Sequence, residues 1–168
     1  EMLNNGVIGR LTRYECSLTS HNAALRERWM SDPAVSGGGS FVDCGSHALD
    51  LFQFLVGPAE VVASIYDHEW HGRGESSSTT LVRGLKANGH YVQPGVAGVI
   101  QTGWVEPERC QLTLTGTEGA LHYDLRHPTE LLHRHAEGTN KVTTVENPEI
   151  RFAKQLRAFA TYAQGGLY

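Results

Sequence analysis

Apolar residues recur along this chain at two spacings, and the change from one to the other divides it into helices and strands. From residue 40 to 56 the spacing is helical. At about 100° per residue, Phe41, Gly45, Ala48, Leu49, Phe52, Leu55 and Val56 share one side. Asp43, His47 and Asp50 fall on the opposite side, at i,i+4 and i,i+3 steps that let the three side chains meet. The run Gly37, Gly38, Gly39 precedes this helix, Ser40 or a neighbour can cap it, and Gly57 with Pro58 stops it. A second helix is predicted after Asn147 and Pro148. Phe152, Leu156, Phe159 and Ala160 recur there at helical spacing with Tyr162 and Ala163 beyond, core-facing by default, and Gly165 and Gly166 end it. Residues 23–30 predict a short helical turn ended by Asp32 and Pro33, with Trp29 assigned to the core.

Between the helices the pattern is that of strands. Residues 11–18 alternate, with Leu11, Arg13, Glu15 and Ser17 against Thr12, Tyr14, Cys16 and Leu18. Residues 60–66 form a β-branched run. Residues 79–85, 96–105 and 110–114 read as three successive strands, turning at 87–89 and at Glu106, Pro107 and Glu108. Residues 116–119 turn the chain into a strand at 120–124, and 131–135 and 141–145 follow as further strands. Residues 67–78, polar and glycine-bearing, predict a loop or hairpin tip. Repeated hairpins predict an α+β fold: an open, mostly antiparallel β-sheet with helices on one face.

Composition narrows the partners. With 168 residues, 40% of them hydrophobic, the chain can bury a core as one domain spanning 1–168. A net charge of −4 with scattered Lys and Arg argues against a nucleic-acid partner. No apolar run approaches the ~20 residues of a membrane span, and no signal peptide opens the chain. Cys16, Cys44 and Cys110 are odd in number and widely spaced, which fits reduced, buried thiols and a cytoplasmic setting. The start at Glu1, in apparent mid-element, reads as a domain cut from something longer.

The helix with Asp43, His47 and Asp50 carries the chemistry. A carboxylate one turn from an imidazole can fix its tautomer and raise its basicity, as a general base near neutral pH requires. The competing reading is a solvated polar face with a local ion pair. Two features favour chemistry: the glycines allow backbone or a ligand to approach the helix start, and the polar face is narrow. His68 and His71 have a metal-compatible spacing but no third ligand nearby, and His127, His133 and His135 read as surface residues, so no metal is expected. A metal-hydrolase reading would have to recruit these five histidines. No G-x-G-x-x-G or P-loop occurs, and Lys86, Lys141 and Lys154 lack a catalytic context.

The pattern Gly-Gly-Gly-x-x-x-Asp-x-Gly-Ser-His-x-x-Asp over residues 37–50 resembles the second-domain signature of the glucose–fructose oxidoreductase / inositol dehydrogenase / MocA (Gfo/Idh/MocA) family. Residues 6–11, the "G-T-x-G" hairpin at 116–119 and the late helix at 152–165 resemble that family in the same order. The resemblance implies a C-terminal, dihydrodipicolinate-reductase-like domain that binds substrate and oligomerises, following an N-terminal Rossmann domain absent from this chain. It implies an NAD- or NADP-dependent oxidoreductase acting on a sugar, polyol or related hydroxyl or carbonyl compound. His47 would exchange the hydroxyl proton, Asp43 would orient His47 and bind a neighbouring hydroxyl, and Asp50 would be a weaker substrate contact. Gly38 and Gly39 would approach the cofactor, which the missing domain would mainly hold, and the open sheet would form a homo-oligomer. The alternative within the same family is a non-catalytic dimerisation or regulatory module.

Overall fold

The computed structural model describes residues 2–67, 69–70, 72–85, 95–143 and 151–165. Eight strands form one sheet: β1 (Leu11–His21), β2 (Ala59–Asp67), β3 (Ser77–Gly84), β4 (Ala97–Gly103), β5 (Val105–Gly116), β6 (Gly119–Asp124), β7 (Glu130–His135) and β8 (Gly138–Thr143). Their order is β2-β3-β4-β1-β5-β6-β7-β8. All neighbours are antiparallel except β1 and β4, which run parallel. The open, mostly antiparallel sheet is therefore present, but β4 and β5 are not the hairpin neighbours that three successive strands imply. Only Trp104 separates them, fewer than the two residues of the tightest common hairpin loop. The chain instead crosses the end of β1, where Asn22 N–H donates to the Trp104 carbonyl at 2.8 Å. β1 then bonds on both sides and becomes the centre of the sheet.

Two irregularities adjust this centre. A register shift between Leu11 and Arg13 puts Leu11 in the core with Tyr14 and Cys16, against the plain alternation. A second shift, between Thr19 and His21, faces the Glu106–Pro107–Glu108 segment, which is part of β5 rather than a turn. A proline lacking its N–H is tolerated at such a bulge, and Thr19 Oγ1 donates to its carbonyl at 2.6 Å.

Asp32 and Pro33 start a helix instead of stopping one. The Asp32 carboxylate accepts Ala34 N–H at 3.0 Å, and Pro33 opens α1 (Pro33–Ser36). After the glycines the chain makes a π-turn, Phe41–Gly45, and continues as α2 (Ser46–Leu55) until Gly57 at φ +116°. α2 lays Ala48, Phe52 and Val56 onto the sheet as its spacing predicts. Tyr14 meets Phe52 edge-on at 5.1 Å and donates its O–H to the Ala48 carbonyl at 2.7 Å.

Two core assignments do not hold. Trp29 lies in a three-residue 3₁₀ turn too short to present a buried face, and it is 65% exposed. In α3 (Arg151–Ala163), Phe152, Leu156, Phe159 and Tyr162 line one side but are all exposed. The turn at 87–89, His68, His71, Asn147 and Pro148 lie outside the described residues. No described helix is long and apolar enough to cross a membrane.

The buried Tyr14 hydroxyl and Cys16 thiol of this core set an alkaline limit. Burial raises the Tyr14 phenol well above its ordinary range and pushes Cys16 up to about 11. These groups stay neutral in the folded chain but ionise in the unfolded chain near 10.0 and 9.0. Their contribution is thus complete below the unfolded values and is lost as pH rises toward the folded ones, at no more than about 1.4 kcal/mol per pH unit for each group. The thermal midpoint, followed by circular dichroism, is expected to fall from about pH 9 upward, and Tyr14→Phe should blunt the fall. A midpoint constant through that range would contradict this account.

Candidate active site

The site is built where the glycine loop, the π-turn and α2 meet the ends of β1, β4 and β5. Ser40, expected as a cap, is already helical and makes no cap hydrogen bond. Its hydroxyl is buried against Thr102 Oγ1 at 2.9 Å, which in turn meets Ser78 Oγ at 2.8 Å. The cap comes from a distant segment: Glu75 accepts Gly39 N–H on Oε2 and Phe41 N–H on Oε1, each at 2.9 Å. A carboxylate there satisfies orphan donors and complements the positive end of the helix. The Glu75 carbonyl also accepts Ser40 N–H at 2.9 Å.

Gly38 and Gly39 are consequently occupied by the chain itself. Gly39 N–H is spent on Glu75 and Gly38 N–H on Ser36 Oγ at 3.4 Å. The pair does not fit a pyrophosphate cradle, which requires free N–H donors. Their carbonyls are engaged as well, Gly38 accepting the Ser36 hydroxyl at 2.6 Å and Gly39 accepting Asp43 N–H at 3.2 Å.

Asp43 is half-buried, and its partners differ from the local helical ones. Its Oδ2 accepts the Trp104 indole N–H at 3.2 Å and the Cys44 thiol at 3.4 Å. Among the described residues no hydrogen bond or ion pair joins Asp43 to His47. The i→i+5 turn offsets Asp43 against the α-helical residues that follow it. Burial first, then the adjacent Asp43 charge and hydrogen bond, push Cys44 up to about 12, so its S–H remains a donor. Cys110 is raised for the same first reason. All three cysteines are free, and only Cys16 is fully buried.

His47 is exposed and lines an open cleft of about 240 Å³. Leu18, Ser20, Cys44, Glu108 and Cys110 also line it, together with Thr19 and Arg109. The lining mixes hydroxyl, carboxylate, guanidinium and imidazole groups with aliphatic and thiol ones. Asp50 is exposed one turn further along α2 and has no hydrogen-bond partner among the described residues. No three described His, Cys, Asp or Glu side chains are grouped to hold a metal ion. His133 and His135 share one face with rings 5.1 Å apart, and the Nε2 of His133 lies 3.0 Å from the Val7 carbonyl.

Glu75, Trp104 and Trp70 escaped the sequence reading. Trp104 stacks on Trp70, centroids 5.7 Å apart, and both are buried. Glu75 acts on residues 34 and 36 positions away, and no local spacing signals such a cap.

The sequence profile of the GFO/IDH/MocA C-terminal domain matches residues 1–122, and the chain belongs to this family of domains. Among solved structures it is similar to levoglucosan dehydrogenase in complex with NADH and levoglucosan, at TM-score 0.79 and 17% identity, covering 98% of this chain and 53% of that one. It is similar to an inositol dehydrogenase homologue with NAD+ from Azotobacter vinelandii, at TM-score 0.70 and 16% identity over 84% of this chain and 39% of that one. A 3-ketoreductase from Actinomadura kijaniata with NADP and TDP-benzene gives TM-score 0.76 and 20% identity over 99% and 48%. The chain thus spans about half the length of such proteins or less. No curated protein sequence matches it.

Proposed function

We propose that this chain is the substrate-binding and oligomerisation domain of an NAD- or NADP-dependent oxidoreductase acting on a sugar, polyol or related hydroxyl or carbonyl compound. The observation that carries this reading is the cleft at the α2 start, where exposed His47 stands one helical turn from an anchored carboxylate. Solved relatives crystallised with NADH, NAD+ or NADP, and with levoglucosan in one case, support it.

When bound, NAD(P) supplies the acceptor or donor of hydride. A separate, N-terminal nucleotide-binding domain would hold it, and the committed N–H groups of Gly38 and Gly39 support this. His47 takes the hydroxyl proton on oxidation and returns it on reduction. His47 lines the cleft and, among the described residues, makes no protein hydrogen bond that would have to break first. Asp43 presents an acceptor oxygen to a hydroxyl beside the reacting carbon, and Asp50 gives an outer contact. The face of the sheet carrying Ile65 and Leu81, both exposed, supports pairing with a second copy. The free thiols suit a cytoplasmic setting.

The test is a nicotinamide absorbance assay of the protein that carries this domain together with its nucleotide-binding domain. Levoglucosan, myo-inositol, aldoses and keto sugars are offered with each cofactor. Cofactor-dependent turnover of at least one polyhydroxy compound is expected. Tight substrate binding with no turnover, by a protein that binds cofactor, would favour the non-catalytic module.

A further inference from the structure

We propose that Trp104, assisted by Cys44, is a positioning residue for Asp43 that fixes which carboxylate oxygen faces the substrate. This rests on the dehydrogenase reading above. Both donors converge on one atom: Oδ2 accepts from the indole N–H and from the thiol, whereas Oδ1 has no donor among the described residues. A carboxylate's last torsion is broad and two-fold, so an unanchored Asp43 would sample several orientations. Two donors on the same oxygen remove that freedom and leave Oδ1 as the oxygen without a protein donor among the described residues.

Trp104 is itself rigidly held. It is 1% exposed, its backbone N–H donates to the Ser76 carbonyl at 2.8 Å, and its carbonyl accepts Asn22 N–H at 2.8 Å. Its ring stacks on Trp70 at an interplanar angle of 24°. The indole therefore cannot follow a moving carboxylate; the carboxylate must come to it. An indole N–H only donates, so its partner oxygen has to remain an acceptor. Ionised, Asp43 then offers Oδ1 to substrate as a second acceptor. It suits a hydroxyl, which donates, and opposes a carbonyl oxygen, which cannot. In an alcohol-to-ketone conversion Asp43 accordingly belongs on the neighbouring hydroxyl that survives the reaction, not on the oxygen that changes.

The contact is tested first in the 168-residue chain by the indole N–H resonances of Trp29, Trp70 and Trp104, assigned by single Trp→Phe variants. Asp43→Asn is expected to shift the Trp104 indole resonance and speed its hydrogen exchange about tenfold, with those of Trp29 unmoved. A Trp104 resonance and exchange rate indifferent to Asp43→Asn would overturn the proposal. The consequence is then tested in the protein with its nucleotide-binding domain. Trp104→Phe, which keeps a stacking ring, should raise KM about tenfold with kcat nearly held. Equal kinetics for Trp104→Phe and wild type would overturn it. If the protein shows no nicotinamide-linked turnover at all, the dehydrogenase reading falls, while the resonance test still decides the anchoring.

Discussion

Replacing His47 with alanine, in the protein that joins this domain to its nucleotide-binding domain, is expected to lower kcat by about 10²–10⁴ with cofactor affinity little changed. The size follows from the role. A positioned base removes the proton as hydride leaves, and water in its place is a poorer and less well-placed acceptor. Stability should barely respond, because His47 is exposed and makes no hydrogen bond among the described residues. Surface replacements of this kind cost within about 0.5 kcal/mol. Asp50→Ala is the internal control. It lies on the same helix, also exposed, and is given only an outer contact to substrate, so its kcat should change far less. Steady-state kinetics of the two variants, with thermal melts alongside, check both halves. Unaltered turnover in His47→Ala would remove His47 from the mechanism.

What could be read from the sequence was what depends on near neighbours. The apolar side of α2 came out as its spacing predicts, since Ala48, Phe52 and Val56 are buried by the same periodicity that identified them. Most strands were visible for the same reason. Topology was less visible. The single-residue link at Trp104 forbids a hairpin, but which strand then separates β4 from β5 depends on β1, more than eighty residues earlier in the chain. The bulge beside Pro107 likewise turned an expected turn into strand, because the accommodating shift belongs to the partner strand.

The candidate site divides along the same line. Asp43 and His47 share a helix and were found together by local spacing. The groups that hold that helix and that carboxylate, Glu75 and Trp104, arrive from distant loops and strand ends. The π-turn over Phe41–Gly45 has no periodicity signal of its own, and so Asp43 turns to Trp104 where an ideal helix would point it toward His47. The exposed side of α3 is a different case. Its pattern is truly amphipathic, but periodicity shows only that a face is apolar, not what covers it.

Gly39→Ala is expected to destabilise the chain by about 3 kcal/mol, the combined cost of overpacking and of lost hydrogen bonds to a charged cap. A methyl group on Gly39 would stand 2.1 Å from the Glu75 carbonyl oxygen, 2.5 Å from its nitrogen and 2.8 Å from the Gly74 carbonyl carbon. These are backbone atoms and cannot rotate aside. From the other direction, a Cβ on Gly74 would come 2.7 Å from the Gly38 oxygen, so the two segments meet backbone to backbone. Room can be made only by parting them, which strains the Glu75 bonds to Gly39, Ser40 and Phe41 together. For a domain of this size the loss corresponds to a fall of about 10 °C in thermal midpoint. Gly37→Ala separates space from conformation. No described residue lies within 4 Å of its Cβ position, but φ is +84°, so only the left-handed penalty of about 1 kcal/mol applies, or roughly 3 °C. Melting curves should therefore rank Gly39→Ala well below Gly37→Ala. Equal or reversed midpoints would mean that residues 74–75 do not seat on the helix start. The larger fall should also carry a loss of turnover, because Asp43 and His47 follow directly on the helix whose first turn that contact holds.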